Sequence, residues 1–286
     1  MGLSSASDQE RPTGDSRPSG LDVIIRVHDA NRLFELDRAI FSLINQAFTP
    51  VQPIIVMQRF GADEAEAVRR VVEKYDWARH QTPVILAVDG EGDLRSKLLN
   101  VGLAVNRSRY VAILDSDDYV YENAYSRLID QLESSGAAVA FGNIKVKHVV
   151  VYDGEWIYNA SSKSDVYQGE NFDDLVRENF CPIHSFVIDR SIVIASDLYV
   201  DEALTRLEDY DLLLRLGRKY IFDFSLRDQY VGVYNWHIDG RNSIQVFDQP
   251  EDVALHNQGQ WASARQIVWN RKLLLRTKPN ANDRTG

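Results

Sequence analysis

A chain of 286 residues with 44% hydrophobic side chains can bury one large core, or a main domain with a small annex, without help from disulfides. Its formal charge of -10 excludes a general nucleic-acid binder, because phosphate backbones are held by clustered Lys and Arg; any phosphate ligand should be met by a metal ion or local dipoles. The single cysteine, Cys181, and the lack of a signal-peptide pattern or a run of about 18 apolar residues point to a cytoplasmic home without a transmembrane segment.

Residues Met1 to Gly20 are rich in Ser, Gly, Pro and charge, so positions 1–20 are expected to form a disordered tail. Asp22 to Val27 reads as a buried strand, and Leu33, Leu36, Ile40 and Leu43 then recur at helical spacing behind an Asn31 cap. Pro53 to Met57 is a second strand, Ala62 to Tyr75 a helix and Val84 to Val88 a third strand. A helix around Lys97 to Val105 leads to a fourth strand, Tyr110 to Leu114. Strict alternation of apolar strands and amphipathic helices predicts a doubly wound α/β fold, with a mostly parallel mixed sheet and helices on both faces. Ligands of such sheets sit beyond the carboxyl ends of the strands.

After a helix from Asn123 to Ser134, closed by Gly136, the pattern changes. Ile144, Val146, His148 and Val150 alternate up to an Asp153-Gly154 turn, which predicts a hairpin and a mixed second half. A helix from Leu207 to Leu216 should stop at Gly217, and Ile221 to Phe224 and Tyr230 to Tyr234 read as closing strands. Asp252 to Lys278 reads as one amphipathic helix, with Trp261, Ile267, Val268 and Leu273 to Leu275 opposite Arg265, Arg271, Lys272 and Arg276. Docking on its own domain or a partner is the favoured role. Peripheral membrane contact is the lesser option, because interfacial helices carry a stronger basic face.

Three carboxylates, Asp115, Asp117 and Asp118, follow the fourth strand directly. Like charges so concentrated repel one another unless a cation, water or protons neutralise them, and oxygen ligands of this kind suit Mg²⁺ or Mn²⁺. The alternative is an acidic turn that caps the following helix. Glu208, Asp209 and Asp211 form a second acidic cluster at a helix start, where the dipole alone could explain them or where one could serve as a general base. His237 lies beyond a strand as a candidate third metal ligand, with Arg241 placed to reach a diphosphate. His28 and Asp29 follow the first strand and are either nucleotide contacts or turn residues; His184, inside an apolar stretch, reads as structural. Neither a phosphate-binding Gly-x-x-x-x-Gly-Lys loop, a Gly-x-Gly-x-x-Gly turn after the first strand nor a Gly-x-Ser-x-Gly elbow is present, so ATPase, dehydrogenase and esterase readings lose their main support.

With these residues in hand, the chain resembles the family 2 glycosyltransferases of the GT-A fold over about Leu21 to Ser243. The features that match, in order, are Val23 to Asp29, Ser42-Leu43-Ile44-Asn45-Gln46, Leu99 to Ala104, Leu114-Asp115-Ser116-Asp117-Asp118, and Leu207-Glu208-Asp209-Tyr210-Asp211-Leu212 through Arg215-Leu216. The resemblance implies an inverting transferase that moves a sugar from a nucleotide-sugar donor to a hydroxyl acceptor, such as a saccharide. It implies a nucleotide-binding half over positions 21–120, an acceptor-binding half over 121–245 and a helical tail over 246–286. Asp115 and Asp117 would hold the ribose and the metal, with Ser116 and Asp118 beside them and His237 near the ion. Asp209 would be the base, and Asn100 with Arg95 or Lys97 would line the nucleotide pocket. The chain departs from the family pattern at Arg26, where Pro is usual, and at Gln58, where an Asp usually reads uracil. Gln58 can still hydrogen-bond a base edge, but uridine specificity does not follow. Two rivals are a binding-only relative that has lost catalysis and a metal-dependent phosphohydrolase. The latter chemistry normally places its Asp-x-Asp on the first strand, not the fourth.

Overall fold

The computed structural model describes residues 17–152, 155–158, 169–238, 251–277 and 282. The strands β1 (Leu21–Val27), β2 (Val51–Gln58), β3 (Val84–Val88) and β4 (Tyr110–Asp115) alternate with the helices α1 (Leu33–Ile44), α2 (Ala62–Glu73) and α3 (Arg95–Val105). The four strands are parallel, in the order β3-β2-β1-β4. β1, β2 and β4 carry Val, Ile and Leu on both faces and are almost wholly buried, as strands covered by helices on two sides must be.

The second half contains β5 (Tyr119–Val120), α4 (Ala124–Ser135), β6 (Val139–Tyr152), β7 (Glu155–Tyr158), α5 (Phe172–Arg177), β8 (Phe186–Asp189), α6 (Glu208–Lys219), β9 (Phe222–His237) and α7 (Glu251–Thr277). β8 runs antiparallel to both β4 and β6, whereas β9 is parallel to β6 and antiparallel to β5. The result is a nine-stranded mixed sheet in the order β3-β2-β1-β4-β8-β6-β9-β5, with β7 hairpinned onto β6. Leu36, Ile40, Val68 and Leu128 of α1, α2 and α4 fill the core on one face. Leu98, Leu99, Leu212, Leu213 and Val268 of α3, α6 and α7 fill it on the other. Each large side chain so buried contributes roughly 1.5–3 kcal/mol.

Several local expectations are corrected. Pro18 and Gly20, counted with the tail in the sequence, are tied to the start of β4: Arg109 N donates to Pro18 O at 3.0 Å and Tyr110 N to Gly20 O at 3.0 Å. Asn31 does not cap α1, whose N-cap position is Arg32 without a side-chain capping bond; Asp29 instead caps a short 3-10 turn, Ala30–Arg32, its carboxylate accepting from Asn31 N at 2.9 Å. Gly217 does not stop α6, which runs on to Lys219. The glycine is needed for space instead, because a Cβ there would strike the ring of Phe172.

The two closing strands are one. β9 bulges between them, its partner register jumping from Gly142 opposite Leu226 to Asn143 opposite Tyr230. The hairpin of β6 and β7 forms, while its Asp153-Gly154 turn lies outside the described residues. On α7 the inward face is Ala264, Val268 and Leu275, and Leu273 and Leu274 are exposed. Arg271, expected on the outer face, turns inward to Asp211 Oδ1 at 2.8 Å. Asp211, also held by Arg215 at 2.8 Å, is therefore an anchor for α7.

Candidate active site

The carboxyl ends of β1, β2 and β4 open onto a cleft of about 420 Å³, lined by residues that include Arg26, His28, Arg32, Gln58, Arg59, Asp93, Arg95, Asp115, Ser116, Asp117 and Tyr234. Four of these are arginines. A chain of net negative charge thus concentrates cations where an anionic ligand would enter, which corrects the expectation that only a metal or dipoles could meet a phosphate.

Parallel pairing of β1 and β4 sets Arg26 directly beside Asp115. Its Nη2 and Nε donate to Asp115 Oδ1 at 2.6 and 3.0 Å, and its Nη1 donates to Glu208 Oε1 at 2.5 Å. Burial alone would lower the guanidinium pKa, but the charges of Asp115 and Glu208 outweigh it and keep the group firmly cationic. Arg32 performs the same service for Asp117: Nη2 lies 2.9 Å from Asp117 Oδ2 and Nε 2.5 Å from Glu35 Oε2. Two guanidinium groups therefore neutralise the acidic loop that the sequence reading assigned to a cation.

Asp118 is turned away into the core. Burial and the charge of Asp117 push its pKa well above the usual carboxylate range. It accepts from Asn235 N at 2.8 Å and stands 3.2 Å from His184 Nδ1. Burial drives the His184 ring down to about 4, so the imidazole beside it is uncharged. Asn235 Nδ2 in turn donates to Asp117 O at 2.7 Å. This clamp fixes the end of β9 against the acidic loop and delivers His237, whose Nε2 lies 3.8 Å from Asp117 Oδ2 and 3.5 Å from Glu35 Oε1. Both Glu35 and His237 are fully buried.

Asp209 stands in the first turn of α6, with Oδ1 accepting from Tyr210 N at 2.7 Å. Burial and the adjacent charge of Glu208 raise its pKa to about 7. It is not among the cleft-lining residues; Glu208 and Arg26 connect its turn to them. The turn begins at Leu207 in the left-handed region, φ 58, and Arg59 in the cleft has φ 57. A bulky residue there costs roughly 1–2 kcal/mol, so both ends of the site hold backbone strain.

Other predicted residues fall as follows. His28, Gln58, Arg95 and Ser116 line the cleft. Gln58 has both ends of its amide engaged, Nε2 to Gly92 O at 2.7 Å and Oε1 from Leu94 N at 3.3 Å, so it shapes the loop that walls the cleft. Asp29 caps its turn and Lys97 is exposed, and neither lines the cleft. Asn100 is drawn aside to Val200 O at 2.9 Å and Val200 N at 2.8 Å. Arg241 lies outside the described residues. The sequence reading missed Arg32, Glu35, Arg59, Asp93 and Tyr234. Burial works to raise the Asp93 carboxyl, but the hydrogen bonds and charge of Arg95, joined by Arg206, bring it down to about 2.

A parallel sheet half whose acidic strand end faces a cation-lined cleft, joined to a mixed half that brings a His back to it, defines a GT-A type α/β scaffold. Residues 22–195 match the model of glycosyl transferase family 2, and the chain belongs to that family. It is 28% identical over 203 residues to the succinoglycan biosynthesis protein ExoO of Rhizobium meliloti (strain 1021), a match covering 67% of this chain and 54% of that protein. The chain thus spans about half the length of this curated relative. The fold is similar to that of S. aureus TarS, with a TM-score of 0.58 at 14% identity, covering 76% of this chain and 36% of the other. It is also similar to the mannosyltransferase PcManGT from Pyrobaculum calidifontis in complex with GDP-Man and Mn²⁺, with a TM-score of 0.51 at 12% identity, covering 75% and 56%. No helix among the described residues is long and apolar enough to cross a membrane.

Proposed function

We propose that this chain is an inverting transferase that moves a sugar from a nucleotide-sugar donor to a hydroxyl group of a saccharide acceptor. The observation that carries the reading is the single linkage Asp115, Arg26, Glu208, which joins the acidic strand end to the turn that bears Asp209. Donor and acceptor chemistry require such adjacency, because the attacking oxygen must lie within reach of both the base and the anomeric carbon.

Arg59 lines the cleft with a guanidinium that can grip a diphosphate in two-bonded fashion, and Arg95, paired with Asp93, adds its charge to the same wall. Asp209, with a pKa near 7, is poised to take the acceptor hydroxyl proton at its carboxylate as the oxygen attacks. Attack opposite the departing diphosphate inverts the anomeric centre. The residues fit a divalent ion, Mn²⁺ or Mg²⁺: Asp117 Oδ2 and His237 Nε2 converge at 3.8 Å, with Asp115 on the same loop, an oxygen and imidazole donor set such ions accept. Bound there, the ion would neutralise charge developing on the leaving diphosphate. A UDP-GlcNAc complex of TarS and the GDP-Man complex of PcManGT support the donor class while leaving the base open. A cytoplasmic location goes with this reading, since the lone buried Cys181 needs no oxidising compartment.

A screen of UDP- and GDP-sugars with Mn²⁺ by thermal shift, followed by transfer assays, tests the proposal. Donor-dependent stabilisation that needs the ion, with Asp209→Asn lowering transfer about 10² to 10⁴-fold but leaving donor binding intact, is the expected result. The rival, a binding-only relative, draws on the two arginines that already neutralise the acidic loop. It wins if donors bind and Asp209→Asn changes nothing.

A further inference from the structure

We propose that the divalent ion is held chiefly by Glu35, Asp117 and His237, and that the Arg32 guanidinium keeps its place until the ion binds. This rests on the metal-dependent reading above but relocates the ion from the Asp115 and Asp117 pair toward α1. Ligand atoms of Glu35, Asp117 and His237 all lie within 4.8 Å of one another. Two donors each about 2.1 Å from one ion stand about 3 Å apart at right angles and about 4.2 Å apart across it. The observed 3.5 and 3.8 Å from His237 Nε2 to the two carboxylates fall inside that interval.

Asp115, by contrast, is gripped through Oδ1 by two nitrogens of Arg26, on the side facing Glu208. Arg32 makes the case sharper. Its Nη2 is 2.9 Å from Asp117 Oδ2 and 3.2 Å from His237 Nε2, while its Nε is 2.5 Å from Glu35 Oε2. A guanidinium only donates, so the imidazole must offer Nε2 as a lone pair, the same lone pair a metal would use. One cation therefore sits where three ligands of suitable chemistry converge, and an ion cannot enter without moving it.

Arg32 belongs to the short turn capped by Asp29 and also lines the cleft. Displaced, its guanidinium would stay at the cleft and face the anionic part of the donor. Ion and nucleoside diphosphate would then strengthen each other's binding by the same factor, because the arginine released by one is recruited by the other.

The test is Mn²⁺ binding to the full chain by isothermal titration, first with the ion alone and then with UDP or GDP. Glu35→Gln and His237→Gln are expected to weaken Mn²⁺ about tenfold or more, against less than about threefold for Asp115→Asn. Arg32→Met should tighten Mn²⁺ at least threefold without nucleotide and weaken the nucleoside diphosphate when Mn²⁺ is saturating. Loss of Mn²⁺ binding in Asp115→Asn with Glu35→Gln unaffected would overturn the assignment and leave the transferase reading intact. Should Glu35→Gln fail to fold, Arg32→Met decides alone: unchanged Mn²⁺ affinity refutes the exchange. If neither the wild type nor Arg32→Met binds Mn²⁺ with or without nucleotide, the metal-dependent reading falls too.

Discussion

Arg26 Nη1 lies 2.5 Å from Glu208 Oε1, across the gap between the first strand and the first turn of α6. Only 5% of the Glu208 side chain is exposed, and the same guanidinium holds Asp115. Removing the cation would strand two carboxylates, one of them deep. Arg26→Met should therefore cost on the order of 3 kcal/mol, read as a fall in the denaturation midpoint. Arg26→Lys should recover only part of it, since an ammonium cannot reproduce the two-bonded grip.

Asp209 supplies a pH signature. Its pKa is raised from the ordinary 3.8 to about 7, so between these values the folded chain holds a proton that the unfolded chain has released. The stabilisation it gives is complete below pH about 4 and is lost as pH rises through 7. Transfer needs the deprotonated form and should climb across the same interval. Asp209→Asn should flatten the stability difference and lower the transfer rate about 10² to 10⁴-fold, with melting curves and initial rates between pH 4 and 8 as the measurements.

For Asp118 the expectation separates shape from charge. An amide can accept from Asn235 N and donate toward His184, whereas a methyl group can do neither. Asp118→Asn should leave the melting temperature nearly unchanged and Asp118→Ala should cost about 1–3 kcal/mol. Equal losses in both variants would show that the buried carboxyl is ionised.

Gln58 is expected to support nucleotide binding without discriminating bases. Its amide is committed to Gly92 and Leu94, so Gln58→Ala should loosen that loop and weaken UDP and GDP by the same factor. A changed UDP to GDP affinity ratio, measured by titration, would instead make the residue a base reader.

Gly217→Ala, in the last turn of α6, would gain helix propensity on an open surface. Here the added methyl meets the Phe172 ring, and overpacking should win by about 1–3 kcal/mol in chemical denaturation.

The parallel half of the fold was legible because each strand is a short apolar run and each helix an amphipathic one. β9 was read as two strands because its bulge puts Arg227 to Gln229 between two apolar segments, and local pattern cannot tell a bulge from a loop. The acidic residues of the site were also visible, since Asp115 and Asp209 follow or begin recognisable elements. Their partners were not. Glu35 and Arg26 left a signal of another kind: each is a charge at a position whose periodicity demands an apolar residue, in helix phase with Leu36, Ala39 and Leu43 or within an apolar strand. Such a misfit marks a buried charge that must be paired, although only the tertiary register names the partner. The four-arginine cleft escaped notice because its members come from separate segments of an acidic chain.

Arg206 Nη1 donates to Asp93 Oδ2 at 2.8 Å in the cleft wall, while its Nη2 reaches Asn257 Oδ1 of α7 at 3.4 Å. The C-terminal helix is thus a strut behind the pocket, and the loop that shapes the pocket rests on it through one side chain. A shorter version of this protein that keeps every residue touching the donor but drops α7 would lose that brace, together with the Arg271 contact to Asp211, so a minimal catalytic fragment must extend through the helix.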